Sequence, residues 1–289
     1  MQIEVVDDCS PGGDCSAFVR EVAGDRVVVS RENSNLGLAG IWNRCIERAR
    51  GQYIHILHQD DLVYPGFYDA LEKGFQRHPD VGAAFCRHAY CDERGNWNEL
   101  SQVEMADGGI FRNAIETLVS RPCIQCAAIA VKRSTYDRIG GFNRELAHAL
   151  DWEMWIRIAN SFPLYYEPRV LASWRQHGDA TTSKQIISGE NTRDIAKAIG
   201  IWSKYLPAKT GARFAKASRR RYALTALDLA EYLCRQGCPE GFQNQLASAF
   251  LCDGSIAIRW RTFMLRLKVF IRPLFRRVPR RHRTSSEIG

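Results

Sequence analysis

Two adjacent carboxylates, Asp60 and Asp61, follow a short apolar segment at residues 53–57. Two acids held this close repel each other unless a cation or sugar hydroxyls lie between them. A hard divalent ion that also contacts phosphate oxygens is the usual partner of one or two carboxylates. The other interpretation is that the pair caps the helix that follows, as Asp commonly does. Taken alone, the pair leaves both a metal–diphosphate site and a helix cap open.

Predicted strands and helices alternate around this pair. The strands cover residues 2–6, 26–30, 53–57, 81–90, 127–131 and 165–174. The helices cover residues 17–23, 38–50, 66–77, 111–119, 150–160 and a segment ending at Ile139. The alternation predicts an α/β fold with a mostly parallel sheet. A strand at residues 53–57 would be a buried central strand that carries the two acids to the edge of the sheet where ligands bind.

The chain divides by pattern into three parts. Residues 1–185 form the α/β domain, and residues 92–109 within it are polar and irregular, as in a surface loop. Residues 186–255 contain helical patterns at 192–205, 212–235 and 239–251. Residues 256–289 form a basic amphipathic tail.

Four separated motifs carry the chemistry. They are Val5-Val6-Asp7-Asp8, residues 35–50 (NLGLAGIWNRCIERAR), His58-Gln59-Asp60-Asp61, and Gly140-Gly141-Phe142-Asn143 followed by residues 149–155 (ALDWEMW). In this order and spacing, over about residues 3–180, they resemble the family 2 glycosyltransferases, which have the GT-A fold. The resemblance implies transfer of a sugar from a nucleotide-diphosphate donor, with inversion, and with Mg²⁺ or Mn²⁺ holding the diphosphate.

The resemblance also assigns donor-side roles. Asp61 matches the residue that takes the cation, and Asp60 the residue on the ribose or sugar side. Asp8 matches an acid that hydrogen-bonds the nucleobase, although an Asx turn at a strand end would also explain it. Asn43 falls where the family often has an Asn near the nucleotide, although a solvent-facing helix position is equally open.

On the acceptor side, Asp151 matches the catalytic base, which takes the proton of the acceptor hydroxyl. It would also serve as a good N-cap. Trp152 could stack on a sugar, but at this spacing either it or Trp155 is expected in the core. His177 matches a His that can complete the metal or diphosphate site, and an ordinary surface His is the alternative. Gly140 and Gly141 are expected to allow a tight turn.

The chain departs from the family pattern at three places. His58 stands where the commonest motif has another acid, and we expect it to shape the site rather than ligate the metal. Leu150 stands where many relatives have Glu, which puts the acceptor contacts in doubt. The family's first strand is absent, so we expect either a start upstream of Met1 or a degenerate relative, and activity is conditional on that choice.

Composition limits the cellular setting. The 289 residues are 45% hydrophobic and 25% charged, which is ordinary for a globular protein. The ten cysteines are scattered, and Cys123-x-x-Cys126 has no second pair at zinc spacing, so reduced thiols in a cytoplasmic protein are expected. The sequence has neither a signal peptide nor a run of about 20 apolar residues.

The net charge of +8 comes from the tail, since the rest of the chain is nearly neutral. Residues 258–271 alternate aromatic and basic residues as in a basic amphipathic helix, which suits an anionic membrane surface. Packing of this helix on the rest of the protein is the alternative. Without stacking modules or another basic patch, no nucleic-acid partner is expected.

The sequence therefore predicts a glycosyltransferase acting on a surface polysaccharide or lipid-linked glycan. Two other classes stay open. A non-catalytic nucleotide- or glycan-binding relative would bind without turnover, and a nucleotidyltransferase using the same acids would release pyrophosphate from a nucleoside triphosphate.

Overall fold

The computed structural model describes residues 1–176 and 181–275. The strands are β1 (Glu4–Asp7), β2 (Val28–Arg31), β3 (Tyr53–Ile54), β4 (Leu62–Val63), β5 (Ala83–Cys91), β6 (Trp97–Leu100), β7 (Gly109–Ile110), β8 (Ile129–Lys132) and β9 (Leu164–Arg175). The helices are α1 (Ser16–Ala23), α2 (Gly37–Arg48), α3 (Phe67–Arg77), α4 (Ala114–Ser120), α5 (Arg133–Ile139), α6 (Leu150–Ser161), α7 (Thr181–Ser188), α8 (Glu190–Trp202), α9 (Ala208–Arg235), α10 (Pro239–Cys252) and α11 (Ile256–Phe275). The predicted α/β class with a helical C-terminal region is confirmed.

The larger sheet has the strand order β3-β8-β5-β9-β4, with β6 paired to β5 and β7 paired to β9. Strands β5 and β9 pair in parallel, and β8 runs antiparallel to both β3 and β5. Strands β3, β5 and β9 therefore share one direction. Their carboxyl ends lie towards the same edge of the sheet, where the acidic motif follows β3.

The strand before the acidic motif is shorter than predicted and lies at the edge of this sheet. Its pairing is limited to Tyr53 with Lys132 and Ile54 with Val131. The prediction of a central strand over residues 53–57 is therefore wrong. In the described residues β3 pairs with β8 alone, and its pairing ends at Ile54. His55 instead contacts the hydroxyl of Tyr68 at 3.2 Å and the carbonyl of Ala127 at 3.1 Å.

Strands β1 and β2 form a separate parallel sheet. Side-chain contacts connect it to the end of α2, where Arg48 pairs with Glu4 at 2.5 Å and the Gln2 side chain accepts the N–H of Arg50. In the described residues β1 pairs only with β2, and β3 pairs only with β8. The absence of a family strand stays a prediction, and this separation of the two sheets is the structural feature that bears on it.

Helix α3 shows how the sequence pattern produces packing. Its buried residues, Phe67, Ala70, Leu71, Gly74 and Phe75, recur at three- and four-residue spacing and form one face against the sheet. At Gly74 an added Cβ would lie 2.4 Å from the ring of Tyr165 on β9. A side chain at this position would therefore force the helix away from the sheet.

The predicted loop at residues 92–109 contains a strand. Residues 97–100 form β6, which pairs antiparallel with β5 and begins at Trp97. All four residues of β6 are exposed. Because neither face of this strand is buried, its sequence lacks the alternation of apolar and polar residues that identifies a strand.

The helical part of the chain shares a core with the α/β part. Trp155 of α6 and Trp202 of α8 are fully buried members of one hydrophobic cluster that also contains Phe85 of β5. Ser218 of α9 donates a hydrogen bond to the carbonyl of Val119, next to the end of α4. The predicted boundary near residue 185 stays a prediction, but it does not mark a gap in packing.

Candidate active site

The acidic motif forms a compact group of possible metal ligands. One ligand atom each from His58, Asp60 and Asp61 lies within 4.8 Å of the others. Asp61 is buried, at 5% exposed, and its Oδ2 lies 3.5 Å from Nδ1 of His58. The turn is closed by the Asp61 N–H, which donates to the carbonyl of His58 at 3.2 Å.

Arg175, the last residue of β9, orients this motif. Its backbone N–H donates to Oδ1 of Asp61 at 3.0 Å, and its Nε donates to the carbonyl of Asp60 at 2.8 Å. The same guanidinium donates to the carbonyl of Glu93 at 2.6 Å, so it also ties the turn after β5 to the site. Arg175 was not among the predicted site residues, although it lies only two positions before His177.

His58 lies between aromatic and acidic groups. Its ring stacks on Trp42 of α2 with centroids 4.9 Å apart, and Trp42 meets Phe142 edge-on at 4.8 Å. Burial lowers the pKa of His58, but the Asp61 carboxylate and the Cys126 thiol outweigh this effect and raise the pKa to about 10. Through its ring contacts with His58 and Phe142, Trp42 connects α2, the acidic motif and the turn at residues 140–142.

The chemistry of this group fits a divalent cation. Two carboxylates are the ligands that Mg²⁺ and Mn²⁺ prefer, and both ions usually keep several ligands from water or phosphate. The buried Nε2 of His58 has no hydrogen-bond partner in the described part of the chain. The carboxylates of Asp60 and Asp61 would hold the cation, and the expectation that His58 shapes the site stays a prediction.

Asp151 is the second residue of α6. Its Oδ1 accepts the N–H of Trp152 at 2.7 Å. Burial of the carboxyl raises its pKa, and the Trp152 N–H and the nearby His148 and His58 act in the opposite direction. A carboxyl with a raised pKa holds a proton more readily than an ordinary Asp, which suits a general base.

The pKa of Cys126 is affected both by the acidic motif and by Asp151. The buried thiol donates to the carbonyl of Ile56 at 3.6 Å, on the segment that leads to the acidic motif. Burial raises the pKa of Cys126, His58 lowers it, and both Asp151 and Asp61 raise it further. The structure thus brings residues about 90 positions apart in the chain into one electrostatic environment.

Asp194 of α8 holds the loop before Asp151. Its Oδ2 accepts the N–H groups of His148 at 2.7 Å and Ala149 at 2.8 Å, and the carboxylate also accepts the N–H of Ala147 at 3.2 Å. Gln185 adds a contact at 2.8 Å between its Oε1 and Nδ1 of His148. No motif in the sequence pointed to Asp194, because its partners are backbone groups.

We expect Asp194→Asn to lower kcat by about 10-fold, because an amide oxygen is a weaker acceptor than a carboxylate for three N–H groups and Asp151 would lose its fixed position. KM for the donor should change little. Steady-state kinetics measures both constants, and Asp228→Asn, on exposed α9 surface, is the matched control. A rise in KM with unchanged kcat would contradict a role in positioning Asp151.

Asp8 lies near the start of α2, and Asn43 lies in the middle of that helix. Oδ1 of Asp8 accepts the N–H of Leu36, the residue directly before α2, at 2.6 Å. The Asn43 amide donates to the carbonyl of Phe142 at 2.9 Å and accepts its N–H at 2.7 Å. The amide of Asn43 therefore anchors a turn, and its predicted place near the nucleotide stays a prediction.

The turn at residues 140–142 requires glycine, as predicted. Gly140 has φ +82°, a conformation that side chains rarely adopt. At Gly141 an added Cβ would lie 2.1 Å from Oδ1 of Asn43. Arg157 completes the turn by donating to the carbonyls of Ile139 and Gly141.

Trp152 is a core residue. It is 3% exposed, its indole N–H donates to the carbonyl of Leu118 at 2.5 Å, and its ring packs against Trp202 and Tyr222. The predicted sugar contact is corrected for this reason, since helix α6 directs this ring towards α8 and α9. His177, the predicted metal or diphosphate ligand, lies outside the described residues.

Comparison with known proteins shows which family the first half of the chain resembles. Residues 1–140 match the family described as Glycosyl transferase family 2. An uncharacterized protein of Mycobacterium tuberculosis is 27% identical over 205 residues, which are 65% of this chain and 61% of that protein. An uncharacterized glycosyltransferase of Methanocaldococcus jannaschii is 26% identical over 140 residues, 47% of this chain and 46% of that protein. The matches thus span about half to three-fifths of these two relatives.

Solved structures agree on the fold. The structure of S. aureus TarS 1–349 with UDP-GlcNAc superposes with a TM-score of 0.62 at 13% identity, covering 95% of this chain and 82% of that TarS chain. The mannosyltransferase PcManGT from Pyrobaculum calidifontis, solved with GDP-Man and Mn²⁺, gives a TM-score of 0.54 at 19% identity, covering 96% of this chain and 78% of the PcManGT chain. The fold is GT-A. Over residues 1–140, just under half of its length, the chain is similar to the family 2 glycosyltransferases.

Proposed function

We propose that this protein transfers a sugar, with inversion, from a nucleotide-diphosphate donor to a hydroxyl of a surface polysaccharide or lipid-linked glycan. The observation that carries the proposal is the His58–Asp60–Asp61 group, whose ligand atoms lie within 4.8 Å of one another. Asp151 is a separate carboxylate, and it raises the pKa of the buried Cys126 as Asp61 does. One carboxylate group suits the donor diphosphate and a separate carboxylate suits the acceptor. An in-line displacement needs one group that stabilises the leaving diphosphate and another that takes the proton of the attacking hydroxyl.

The donor half rests on Asp60, Asp61 and Asp8. Asp60 and Asp61 would hold Mg²⁺ or Mn²⁺, and Arg175 keeps Asp61 in place through its backbone N–H. When bound, the cation would neutralise the charge that develops on the leaving diphosphate. Asp8 remains the proposed nucleobase contact, with its carboxylate oriented by the Leu36 N–H. The nucleotide sugars bound to TarS and PcManGT support a donor of this class.

The acceptor half rests on Asp151. Its carboxylate would accept the proton of the acceptor hydroxyl as that oxygen attacks the anomeric carbon from the face opposite the leaving diphosphate, so that the C–O bond to the diphosphate breaks as the new one forms. The Trp152 N–H and the Asp194-bound loop hold the carboxylate in position.

Calorimetric titration with UDP, GDP, CDP and dTDP, with and without Mn²⁺, tests the donor half. We expect one diphosphate to bind tightly only when Mn²⁺ is present, and the sugar nucleotides with that base then serve as donors in a transfer assay. Binding without any transfer or donor hydrolysis would favour a non-catalytic relative. Pyrophosphate release from a nucleoside triphosphate would instead show a nucleotidyltransferase.

A further inference from the structure

Helix α11 has two apolar faces of different width. A narrow stripe, with Ile258 and Leu265 buried and Val269 half-buried, packs against α9 and α10. The wider face is exposed, and Ile256, Trp260, Phe263, Met264 and Leu267 lie on it. At 3.6 residues per turn these five positions fall within an arc of about 100°, opposite the packed stripe. Trp260 is 64% exposed and Phe263 is 54% exposed, and their rings contact each other at 5.8 Å.

The exposed apolar face continues onto α10. Phe250 and Leu251, near the end of that helix, are 43% and 65% exposed. The guanidinium of Arg259 lies over the Phe250 ring at 5.0 Å, which places the end of α10 beside the start of α11. Exposed large side chains therefore lie on both helices around the start of α11, and a large exposed apolar surface marks an interaction site.

Cations border this face on both sides. At helical spacing Arg259 and Arg266 lie along one border, and Arg261 and Lys268 lie along the other. Arg261 pairs with Asp228 and Lys268 pairs with Glu231 on α9. In the described part of the chain no carboxylate pairs with Arg259 or Arg266. Six more arginines follow between residues 272 and 283 in the sequence.

We propose that the exposed face of α11 docks on the surface of a bilayer that contains anionic lipids. Aromatic and aliphatic side chains in the centre would enter the boundary between headgroups and acyl chains, and the long arginine side chains at the borders would reach lipid phosphates. The helix would lie in the plane of the interface. Its narrow stripe would stay packed on α9 and α10, and so would connect the rest of the protein to the membrane. The proposal goes beyond the transferase function and does not depend on it.

The charges argue for lipid over a second copy of the chain. Two α11 helices packed face to face would bring their arginine borders together, and like charges at close range repel. An anionic lipid surface complements the same borders, and each basic side chain near it adds to binding. Among the described residues, no helix is both long and apolar enough to cross a bilayer. The geometry therefore favours binding along the surface.

Vesicle flotation of the full chain tests the proposal. We expect binding to vesicles of phosphatidylcholine mixed with phosphatidylglycerol and much weaker binding to phosphatidylcholine alone. Trp260→Ala and Phe263→Ala should each lower the partition coefficient about 10-fold, because each removes a large side chain from the interface. Arg259→Gln and Arg266→Gln should each lower it about 5-fold, on anionic vesicles only. Added salt should also weaken the binding of the wild-type protein to anionic vesicles.

Phe18→Ala is the matched control, because Phe18 is 68% exposed on α1, and it should bind like the wild type. The wild type should also show a shift of tryptophan emission to shorter wavelength on adding vesicles, and Trp260→Phe should lack it. Equal losses in Phe18→Ala and Phe263→Ala, or no preference for anionic vesicles, would overturn the proposal. So would a dimer in sedimentation velocity that Phe263→Ala dissociates, with no vesicle binding, since the face would then bind a second copy.

Discussion

Replacing Asp151 with Asn is expected to lower kcat by about 10³-fold, within the range that a general base contributes. The amide cannot accept the proton of the acceptor hydroxyl. Its oxygen can still accept the Trp152 N–H, so the start of α6 should keep its geometry. The donor site does not include Asp151, and the dissociation constant for the diphosphate should stay within about twofold of wild type. Single-turnover transfer and calorimetry measure the two effects separately.

Asp137→Asn is the matched control for this change, because Asp137 is an exposed Asp on α5 and should behave like the wild type. Stability gives a second check. Burial raises the native pKa of Asp151, so the native state binds this proton more tightly than the unfolded chain, and ionising the carboxyl at neutral pH costs stability. Asn removes that cost, and the Tm at neutral pH should not fall. Unchanged kcat in Asp151→Asn would exclude Asp151 as the base.

The same raised pKa sets a pH dependence. The base must be ionised to act, so kcat/KM should fall as the pH drops through the pKa of Asp151. Because burial raises that pKa, the fall should occur at a higher pH than for an ordinary Asp, which titrates near about 3.9. A pH–rate profile of the wild-type protein measures the pH at which kcat/KM falls.

Asp61→Asn is expected to abolish the dependence of donor binding on Mn²⁺ and to lower kcat/KM by about 10³-fold. The change removes the negative charge of the most buried carboxylate of the acidic motif. The Arg175 N–H can still donate to the Asn oxygen, so the connection between the motif and β9 should survive. Calorimetric titration of the preferred diphosphate, with and without Mn²⁺, measures the loss directly.

Asp69→Asn provides the comparison for Asp61→Asn, since Asp69 is an exposed acid in the first turn of α3. It should keep wild-type affinity and rate. A folded Asp61→Asn protein whose donor affinity still rises on adding Mn²⁺ would show that the cation binds elsewhere. The assignment of the acidic motif would then be wrong, whereas the role of Asp151 would be unaffected.

Much of the fold follows from local patterns in the sequence. Helices α2, α3 and α6 were predicted because apolar residues recur at helical spacing, and such a face must be buried whatever it packs against. The family was predicted because short motifs around Asp60, Asp61 and Asp151 keep their order. The tight turn at Gly140 was also predicted, since its conformational requirement is local, whereas Gly141 is required because Asn43 lies close to it.

The amphipathic pattern of α11 was equally visible, but which of its faces packs was not. The sequence predicted one apolar face that either meets a membrane or packs on the protein. The structure shows a narrow stripe around Ile258 and Leu265 that packs and a wider face around Trp260 and Phe263 that is exposed. Periodicity reports that a helix is amphipathic, and it does not report which other helices lie against it.

The roles of single side chains depended on long-range contacts. Asn43 and Phe142 meet across 99 residues, Arg175 and Asp61 across 114, and Asp194 and Ala149 across 45. Trp152 carried the right residue type for a sugar contact, yet the direction of α6 points it into the core. Residue types and motif order can be read along the chain, because they are local. The hydrogen-bond partner and the direction of each side chain could be read only from the tertiary structure. Many of these partners are backbone groups, which every residue has, so no residue type in the sequence identifies them.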